Sequence, residues 1–224
     1  MKLSVKIYAL FCLFISSIVL LYIFTMLPPF GGHYKAPSTS MMPTINVGDH
    51  FQVNKRPYVF NKNKVPKRGK VIVFENPITG ITSVKRNIGL AGDKIEIRRG
   101  RLYLNDQVVK REQIDSYTYR VSRSRNTSVN VYKEHLSDSH DSYQIYEQSD
   151  NGFNDNRGPF IVPEGHVFVI GDNRDNSIDS RATSMGPIPI ENILGEVKRI
   201  LFSFESCPSN ENIYCPTKRY FSKL

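Results

Sequence analysis

The first strong pattern along the chain is an uninterrupted apolar run near its start. From Ile7 to Leu27 no residue is charged, and the mild polar interruptions are Ser16, Ser17 and Thr25. About twenty apolar residues are the length that a transmembrane helix needs. A cleavable signal peptide is the competing interpretation, but it would have a shorter apolar region and small residues at its cleavage site. The run ends without an Ala-x-Ala pattern, which favours an uncleaved anchor at residues 7–27.

The flanking charges predict how this anchor is oriented. Lys2 and Lys6 precede the apolar run, and positive residues favour the cytoplasmic side of a membrane. Residues 1–6 are therefore predicted to be cytoplasmic and residues 28–224 exoplasmic. An oxidising exoplasmic space would allow Cys207 and Cys215 to form a disulfide, and the sequence leaves open whether they do.

Beyond residue 48 the hydrophobic pattern is typical of β strands. Alternation predicts a half-buried strand, and apolar runs between breakers predict buried strands; the segments concerned are Asp49–Asn54, Val71–Phe74, Ile81–Ile88 and His166–Ile170. Two alternating segments around Arg99-Gly100 predict a hairpin over residues 94–104. Residues 193–202 suit either a closing strand or a short helix. The body is therefore predicted to be all-β.

Residues 111–160 have the least readable pattern. They are rich in Ser, Asp, Asn and Arg, with tyrosines scattered among them. We interpret this stretch as the bulk of a loop-rich β lobe inserted at about residues 98–160.

Composition adds a bias in charge. The chain has 224 residues, enough for one sizeable domain or two small ones beyond an anchor, and a formal net charge of +9. Such a balance favours an anionic partner, either nucleic acid or a phospholipid leaflet. Because the basic domain is predicted to be exoplasmic, an anionic membrane is the expected partner and nucleic acid is not.

Two segments are candidates for nucleophilic chemistry. Residues 37–44 place Ser40 in a Pro/Ser/Thr-rich stretch shortly after the anchor, and Lys85 interrupts an apolar strand. A buried lysine has a lowered pKa and can act as a general base. The ordinary alternatives are that Ser40 only forms a turn and that Lys85 lies on an edge strand and extends its amine into solvent. The five histidines have no metal-ligand spacing, and no Gly-x-Ser-x-Gly elbow is present. A Ser40–Lys85 dyad is the nucleophilic arrangement that this sequence supports best.

The ordered motifs resemble those of the bacterial type I signal peptidases, also called leader peptidases. Four blocks carry the resemblance, and they are residues 38–44, 68–74, 85–93 and 171–181. They cover nearly the whole predicted exoplasmic part except residues 111–160. Ala91 stands where many relatives have proline, and the chain has one predicted span where relatives from double-membraned bacteria often have two.

The resemblance implies a serine peptidase mechanism with assigned roles. Ser40 is the nucleophile and Lys85 the general base, while Ser38 joins the Ser40 backbone N–H in the oxyanion hole. Ser177 orients the lysine. Asp179 and Arg181 form a structural ion pair. For residues 172–174 we expect only a turn network of internal hydrogen bonds.

The resemblance also implies a fold, a substrate and partners. The expected fold is an all-β two-lobed exoplasmic body with an apolar surface that dips into the membrane, behind one transmembrane helix. The expected substrates are preprotein signal peptides with small residues at positions −1 and −3. Met41, Ile45 and Val84 are expected to form the shallow apolar wall of a pocket that leaves room only for such small side chains. We expect a monomer without cofactor or metal, in the bacterial cytoplasmic membrane.

Two alternatives stay open. One is a conjugation-associated, pilin-processing relative with the same dyad and a single substrate. The other is a membrane-anchored, basic binding module without catalysis, in which the serines only form turns. The second gives no reason for a lysine within an apolar strand.

Overall fold

The computed structural model describes residues 2–26, 31–122, 125–136, 142–203 and 221–222. Cys207 and Cys215, for which a disulfide was considered, lie outside the described residues.

The N-terminal apolar run forms a single long helix. Helix α1 spans Lys2–Met26, and its residues 6–23 have a mean hydropathy of 2.2 with none of them buried. It is the one helix of the described chain that is long and apolar enough to cross a membrane. Apolar side chains exposed on every side of a helix need a nonpolar surrounding. A membrane anchor and a signal sequence both have this property.

The rest of the described chain is built almost entirely from strands. In chain order the elements are β1 (Gly31–Lys35), β2 (Asp49–Asn54), α2 (Arg56–Phe60), β3 (Val71–Glu75), β4 (Thr82–Gly89), β5 (Lys94–Arg98), β6 (Arg101–Leu104), β7 (Gln107–Val108), β8 (Lys110–Ser122), β9 (Arg125–His135), β10 (Ser142–Glu147), β11 (Asn156–Ile161), β12 (His166–Ile170), β13 (Ile188–Pro189) and β14 (Ile193–Ser203). Short 3-10 turns occupy Arg174–Asn176 and Ile190–Asn192. The prediction of an all-β body behind one N-terminal apolar helix is confirmed.

The largest sheet has seven antiparallel strands in the order β1-β2-β14-β3-β4-β12-β13. Its inner strand β3 is buried on both faces. Val71 and Val73 pack under the turn that carries Met41, whereas Ile72 and Phe74 pack under Tyr58 of α2. Burial on both faces explains why β3 reads as a continuous apolar run rather than an alternating one. Each such side chain contributes about 1.5–3 kcal/mol when it is fully buried.

Two smaller sheets are formed by residues 94–161. One has the order β11-β5-β6-β7 and the other the order β10-β9-β8. They share a core with the large sheet, because Ile88 and Phe168 from the large sheet pack with Ile95, Leu102 and Ile145. The limits of an inserted lobe at about 98–160 stay a prediction.

The loop-rich interpretation of residues 111–160 is wrong. Long strands β8 and β9 pair over most of their length, and β10 pairs with β9 along all six of its residues. The exposed side of this hairpin is polar, and Thr118 and Ser128 are hydrogen-bonded across it at 2.9 Å. Strands whose outer face is hydroxyl-rich and charged lack the apolar alternation by which strands are recognised. Residues 193–202, left open between strand and helix, lie in strand β14.

Candidate active site

Ser40 lies in a tight turn between β1 and β2. The turn is closed by backbone hydrogen bonds from Met42 N to Thr39 O at 3.1 Å and from Ile45 N to Met41 O at 2.9 Å. The carbonyl of Ser40 accepts a hydrogen bond from Asn173 N at 3.1 Å. Only 8% of Ser40 is exposed. The hydroxyl is therefore held on a backbone that is fixed from two sides.

Lys85 lies on β4 and reaches this hydroxyl. Its Nζ is 2.8 Å from Ser40 Oγ and donates to the carbonyl of Val84 at 3.0 Å. Its exposed fraction is 5%. Burial lowers the pKa of Lys85 to about 8 because desolvation disfavours the ammonium form, while the Asp179 and Asp172 carboxylates act in the opposite direction. Near neutral pH a useful fraction of the amine is therefore neutral and able to accept a proton.

Ser38 lies next to the same hydroxyl. Its Oγ is 3.3 Å from Ser40 Oγ, and the Ser38 side chain is exposed. A small exposed hydroxyl beside a nucleophile is accessible to the oxygen of a bound carbonyl. The role of Ser38 as an oxyanion donor stays a prediction.

Asp179 and Arg181 form a buried ion pair behind the turn. Arg181 Nε donates to Asp179 Oδ1 and Arg181 Nη2 to Asp179 Oδ2, both at 2.8 Å. Asp179 Oδ2 also accepts from Gly171 N at 2.9 Å. Arg181 holds the pKa of Asp179 below its usual value although burial alone would raise it. The pair therefore fixes the two ends of residues 171–181 to one another.

Ser177 is not hydrogen-bonded to Lys85 in the described structure. Its Oγ is buried and has no partner of regular hydrogen-bond geometry among the described residues. It lies near enough to Asp179 to contribute to the lowered pKa of that carboxyl. Its role as the residue that orients Lys85 stays a prediction.

Gly171 separates Ser177 from the backbone of Ser40. A Cβ at position 171 would lie 2.5 Å from Ser177 Cβ and 2.7 Å from Ser40 O, distances that real side chains do not tolerate. A side chain here must therefore displace the turn that carries Ser40.

We expect Gly171→Ala to reduce turnover by about 10²-fold or more, because a displacement of about 1 Å at a reacting group has a cost of that order. Gly165→Ala, at the other end of β12, is the matched control. A Cβ there meets nothing within 4 Å, although its φ of +71° strains any L residue. Peptidase turnover and thermal unfolding of both variants are the measurements. Equal losses of turnover in the two variants would show that only general destabilisation is involved.

The expectation that residues 172–174 only form an internal turn network is wrong. Each of these side chains is hydrogen-bonded to another part of the chain. Asp172 accepts from Arg86 of β4, Asn173 donates to Thr39 and Tyr119, and Arg174 donates to Glu134 of β9. The loop is therefore clamped to β4, to the Ser40 turn and to the 110–147 strands. Glu134 and Tyr119 were not identified from the sequence, since nothing in their local pattern indicates a buried partner 40 or more residues away.

The predicted substrate wall is only partly exposed. Met41 and Ile45 are 1% and 0% exposed and belong to the core beneath the large sheet. Val84 is half-buried and packs against that core. Of the three residues, Val84 is the one with a substantial surface beside the serine and the lysine. Met41 and Ile45 support the turn from below.

A buried serine hydroxyl held against a buried, low-pKa lysine is an arrangement of nucleophile and base that serine peptidases use. The family model described as signal peptidase, peptidase S26, matches residues 6–202. The chain therefore belongs to the signal peptidase family, and the resemblance inferred from the motif blocks is confirmed.

Two bacterial relatives agree with this membership. Signal peptidase I of Rickettsia akari is 31% identical over 215 residues, which cover 86% of this chain and 77% of that protein. Signal peptidase I of Buchnera aphidicola is 31% identical over 214 residues, which cover 77% of this chain and 68% of that protein. A crystal structure of signal peptidase I from Enterococcus faecalis is 28% identical, covers 59% of this chain and 97% of its own, and gives a TM-score of 0.35.

Proposed function

We propose that this chain is a membrane-anchored serine endopeptidase that removes signal peptides from exported preproteins, with Ser40 as nucleophile and Lys85 as general base. The observation that carries the proposal is the 2.8 Å distance between Ser40 Oγ and Lys85 Nζ within a buried setting. Membership in the signal peptidase family supplies the reaction class. Every group in the proposed mechanism comes from one chain, so a monomer suffices.

The proposed reaction proceeds through an acyl-enzyme. Neutral Lys85 accepts the hydroxyl proton as Ser40 Oγ attacks the carbonyl carbon of the scissile bond. The resulting ammonium then gives its proton to the leaving amine. A water molecule repeats the sequence in the second half, with Lys85 again as the base, and releases the acyl group from Ser40.

The negative charge that develops on the carbonyl oxygen needs hydrogen-bond donors. We propose the Ser40 backbone N–H and the Ser38 hydroxyl for this role, because Ser38 Oγ is 3.3 Å from the nucleophilic oxygen. Removing one such donor typically reduces turnover by about 10²- to 10³-fold.

Ser38→Ala is accordingly expected to lower kcat by about 10²- to 10³-fold and to change KM far less. Ser38→Thr keeps the hydroxyl and should recover part of the loss. Ser184→Ala, at an exposed serine of the body, serves as the control. Steady-state kinetics on one peptide substrate provide the test. A kcat for Ser38→Ala equal to that of the parent would reduce Ser38 to a turn residue.

The edge of β4 offers a place for an extended peptide. Residues 82–85 pair with β3, whereas pairing with β12 begins at Arg86. One side of that half-strand is thus without a neighbouring strand in the described sheet, and strand addition is a common way to bind an extended peptide. Val84 is half-buried beside Lys85. We propose that it contributes to an apolar wall that limits the residues before the scissile bond to small side chains.

The membrane and its lipids complete the proposed setting. Helix α1 with Lys2 and Lys6 before its apolar run favours a single span in the bacterial cytoplasmic membrane with the N-terminus inside. The net charge of +9 favours contact with anionic phospholipid.

A reporter on the N-terminus should stay cytoplasmic and one on the C-terminus should be exported. The reverse result, or an exported protein that starts near residue 28, would contradict this topology.

The experiment that tests the function is cleavage of a preprotein. The purified chain in detergent should convert an exported preprotein to a form whose new N-terminus follows small residues at −1 and −3. A chain that cleaves one pilin precursor and no general preprotein would be the dedicated processing enzyme. A chain that binds preprotein without cleaving it would be the binding module.

A further inference from the structure

Three carboxylates from separate segments meet beside the 171–181 loop, outside the proposed catalytic groups. Glu147 ends β10, Asp155 precedes β11, and Asp175 lies in the 3-10 turn. One ligand oxygen from each lies within 4.8 Å of the others. Glu147 is 2% and Asp155 1% exposed, and Asp175 is half-buried. Two of the three side chains are thus almost wholly removed from water.

The positive charges near this cluster are largely engaged by other carboxylates. The three arginines in question each pair with a carboxylate outside the cluster: Arg111 with Asp150, Arg174 with Glu134, and Arg181 with Asp179. Arg111 also forms a salt bridge with a member of the cluster, since its Nη1 donates to Glu147 Oε2 at 3.5 Å. Burying a carboxylate without a compensating charge is very unfavourable. One arginine contact offsets only part of the negative charge of three carboxylates, so a further positive species would stabilise the cluster.

Buried oxygens in the same region also have no hydrogen-bond partner. Glu147 Oε1, Asp155 Oδ1 and, in the same loop, Asn154 Oδ1 are buried acceptors without a donor among the described residues. Other oxygens of the cluster are held by backbone amides. Asp155 Oδ2 accepts from Gly152 N, and Asp175 Oδ2 accepts from Gln148 N at 2.6 Å. Carboxylates oriented by hydrogen bonds at one oxygen while others stay free are typical of metal ligands.

We propose that Glu147, Asp155 and Asp175 form a binding site for a divalent cation of the calcium type. Calcium takes oxygen ligands at about 2.3–2.6 Å, so two ligand oxygens on one ion lie up to about 5 Å apart. The mutual separation of the three oxygens fits that limit. Residues 150–155 read Asp-Asn-Gly-Phe-Asn-Asp, the mixture of acidic, amide and glycine residues found in calcium loops.

A bound cation at this place would join two parts of the molecule. Glu147 and Asp155 belong to the 94–161 region, whereas Asp175 is two residues before Ser177 in the segment fixed by Asp179 and Arg181. The ion would therefore tie this segment to the smaller sheets and stabilise the fold around the proposed active site.

The rival occupant is a shared proton. Burial, together with the charges of Asp175 and Asp155, raises the pKa of Glu147 to about 9, although Arg174 acts in the opposite direction. A protonated Glu147 would relieve part of the repulsion. The two occupants can be distinguished because a cation must displace this proton, whereas a shared proton gives no dependence on added metal.

The test uses the full chain in detergent after treatment with a chelator. Equilibrium dialysis with radioactive calcium should find one saturable site, with a Kd on the order of 10⁻⁴ to 10⁻³ M as in extracellular calcium modules. Saturating calcium should also raise the unfolding temperature. Glu147→Gln and Asp155→Asn should each weaken calcium binding by about 10-fold or more. Asp106→Asn, which removes an exposed carboxylate that pairs with Lys94, should leave it unchanged.

No saturable binding up to about 10 mM calcium, well above the Kd of known extracellular modules, would overturn the proposal in favour of the shared proton. In that case Glu147→Gln should have a higher unfolding temperature than the parent, and the difference should be the same in the presence of calcium and in the presence of chelator. Calcium binding to Glu147→Gln as strong as to the parent would also overturn it. Because the dialysis is made on the unaltered chain, a variant that fails to fold does not prevent a decision. None of these measurements depends on peptidase activity.

Discussion

Ser40→Ala is expected to abolish preprotein cleavage while leaving the affinity for the substrate nearly unchanged. The hydroxyl is the only group removed, and the turn around it is held by backbone hydrogen bonds that alanine keeps. Loss of the nucleophile in a serine peptidase costs on the order of 10⁶ in turnover. The measurements are the single-turnover rate and the Kd for one peptide substrate.

Ser184→Ala again provides the control for a serine that is removed elsewhere. Both the Ser40→Ala and the Ser184→Ala variant should unfold at the same temperature as the parent. Cleavage by Ser40→Ala at a rate close to that of the parent would assign the nucleophile to another residue.

Lys85→Met is expected to be nearly as damaging as Ser40→Ala. Methionine has a similar length and suits a buried strand position, so the fold should persist while the proposed proton acceptor is lost. Because the two residues are proposed to act as one unit, the double variant should be little slower than either single variant. Independent roles would instead make the two losses multiply.

Circular dichroism of Lys85→Met must show that the β structure is retained for this comparison to count. Turnover comparable to that of the parent in a folded Lys85→Met variant would mean that another group is the base. Lys85→Arg is a useful companion, because arginine keeps a positive charge but cannot lose its proton in a protein. It too should be inactive.

The strands of the large sheet could be predicted because their surroundings are simple. β3 is buried on both faces and β2 on one, so the first reads as a continuous apolar run and the second alternates. The hairpin of β8 and β9 could not be predicted in the same way. Its buried face includes Tyr119, Val129 and Val131. Because the outer face is polar, the sequence does not show the clear apolar alternation by which such a face is recognised.

The serine and the lysine could be proposed from sequence because a lysine within an apolar strand is unusual and because four motif blocks in order resemble a known family. Their supporting partners could not, because Glu134 and Tyr119 come near residues 173–174 only through the packing of distant strands. Burial at the predicted substrate wall could not be predicted from sequence either, and the part of Met41 in that wall stays a prediction. Met41 is next to Ser40 in sequence, but the turn directs its side chain into the core.

The central claim is that a neutral Lys85 acts as the base for Ser40, and the dependence of kcat/KM on pH tests it most directly. This ratio reports ionisations of the free enzyme. Because only the deprotonated amine can accept a proton, activity should rise with pH along a limb centred at about 8, the lowered pKa of Lys85. A limb centred near 6.5, the ordinary pKa of histidine, or a profile without any rise through the neutral to alkaline range, would contradict the claim.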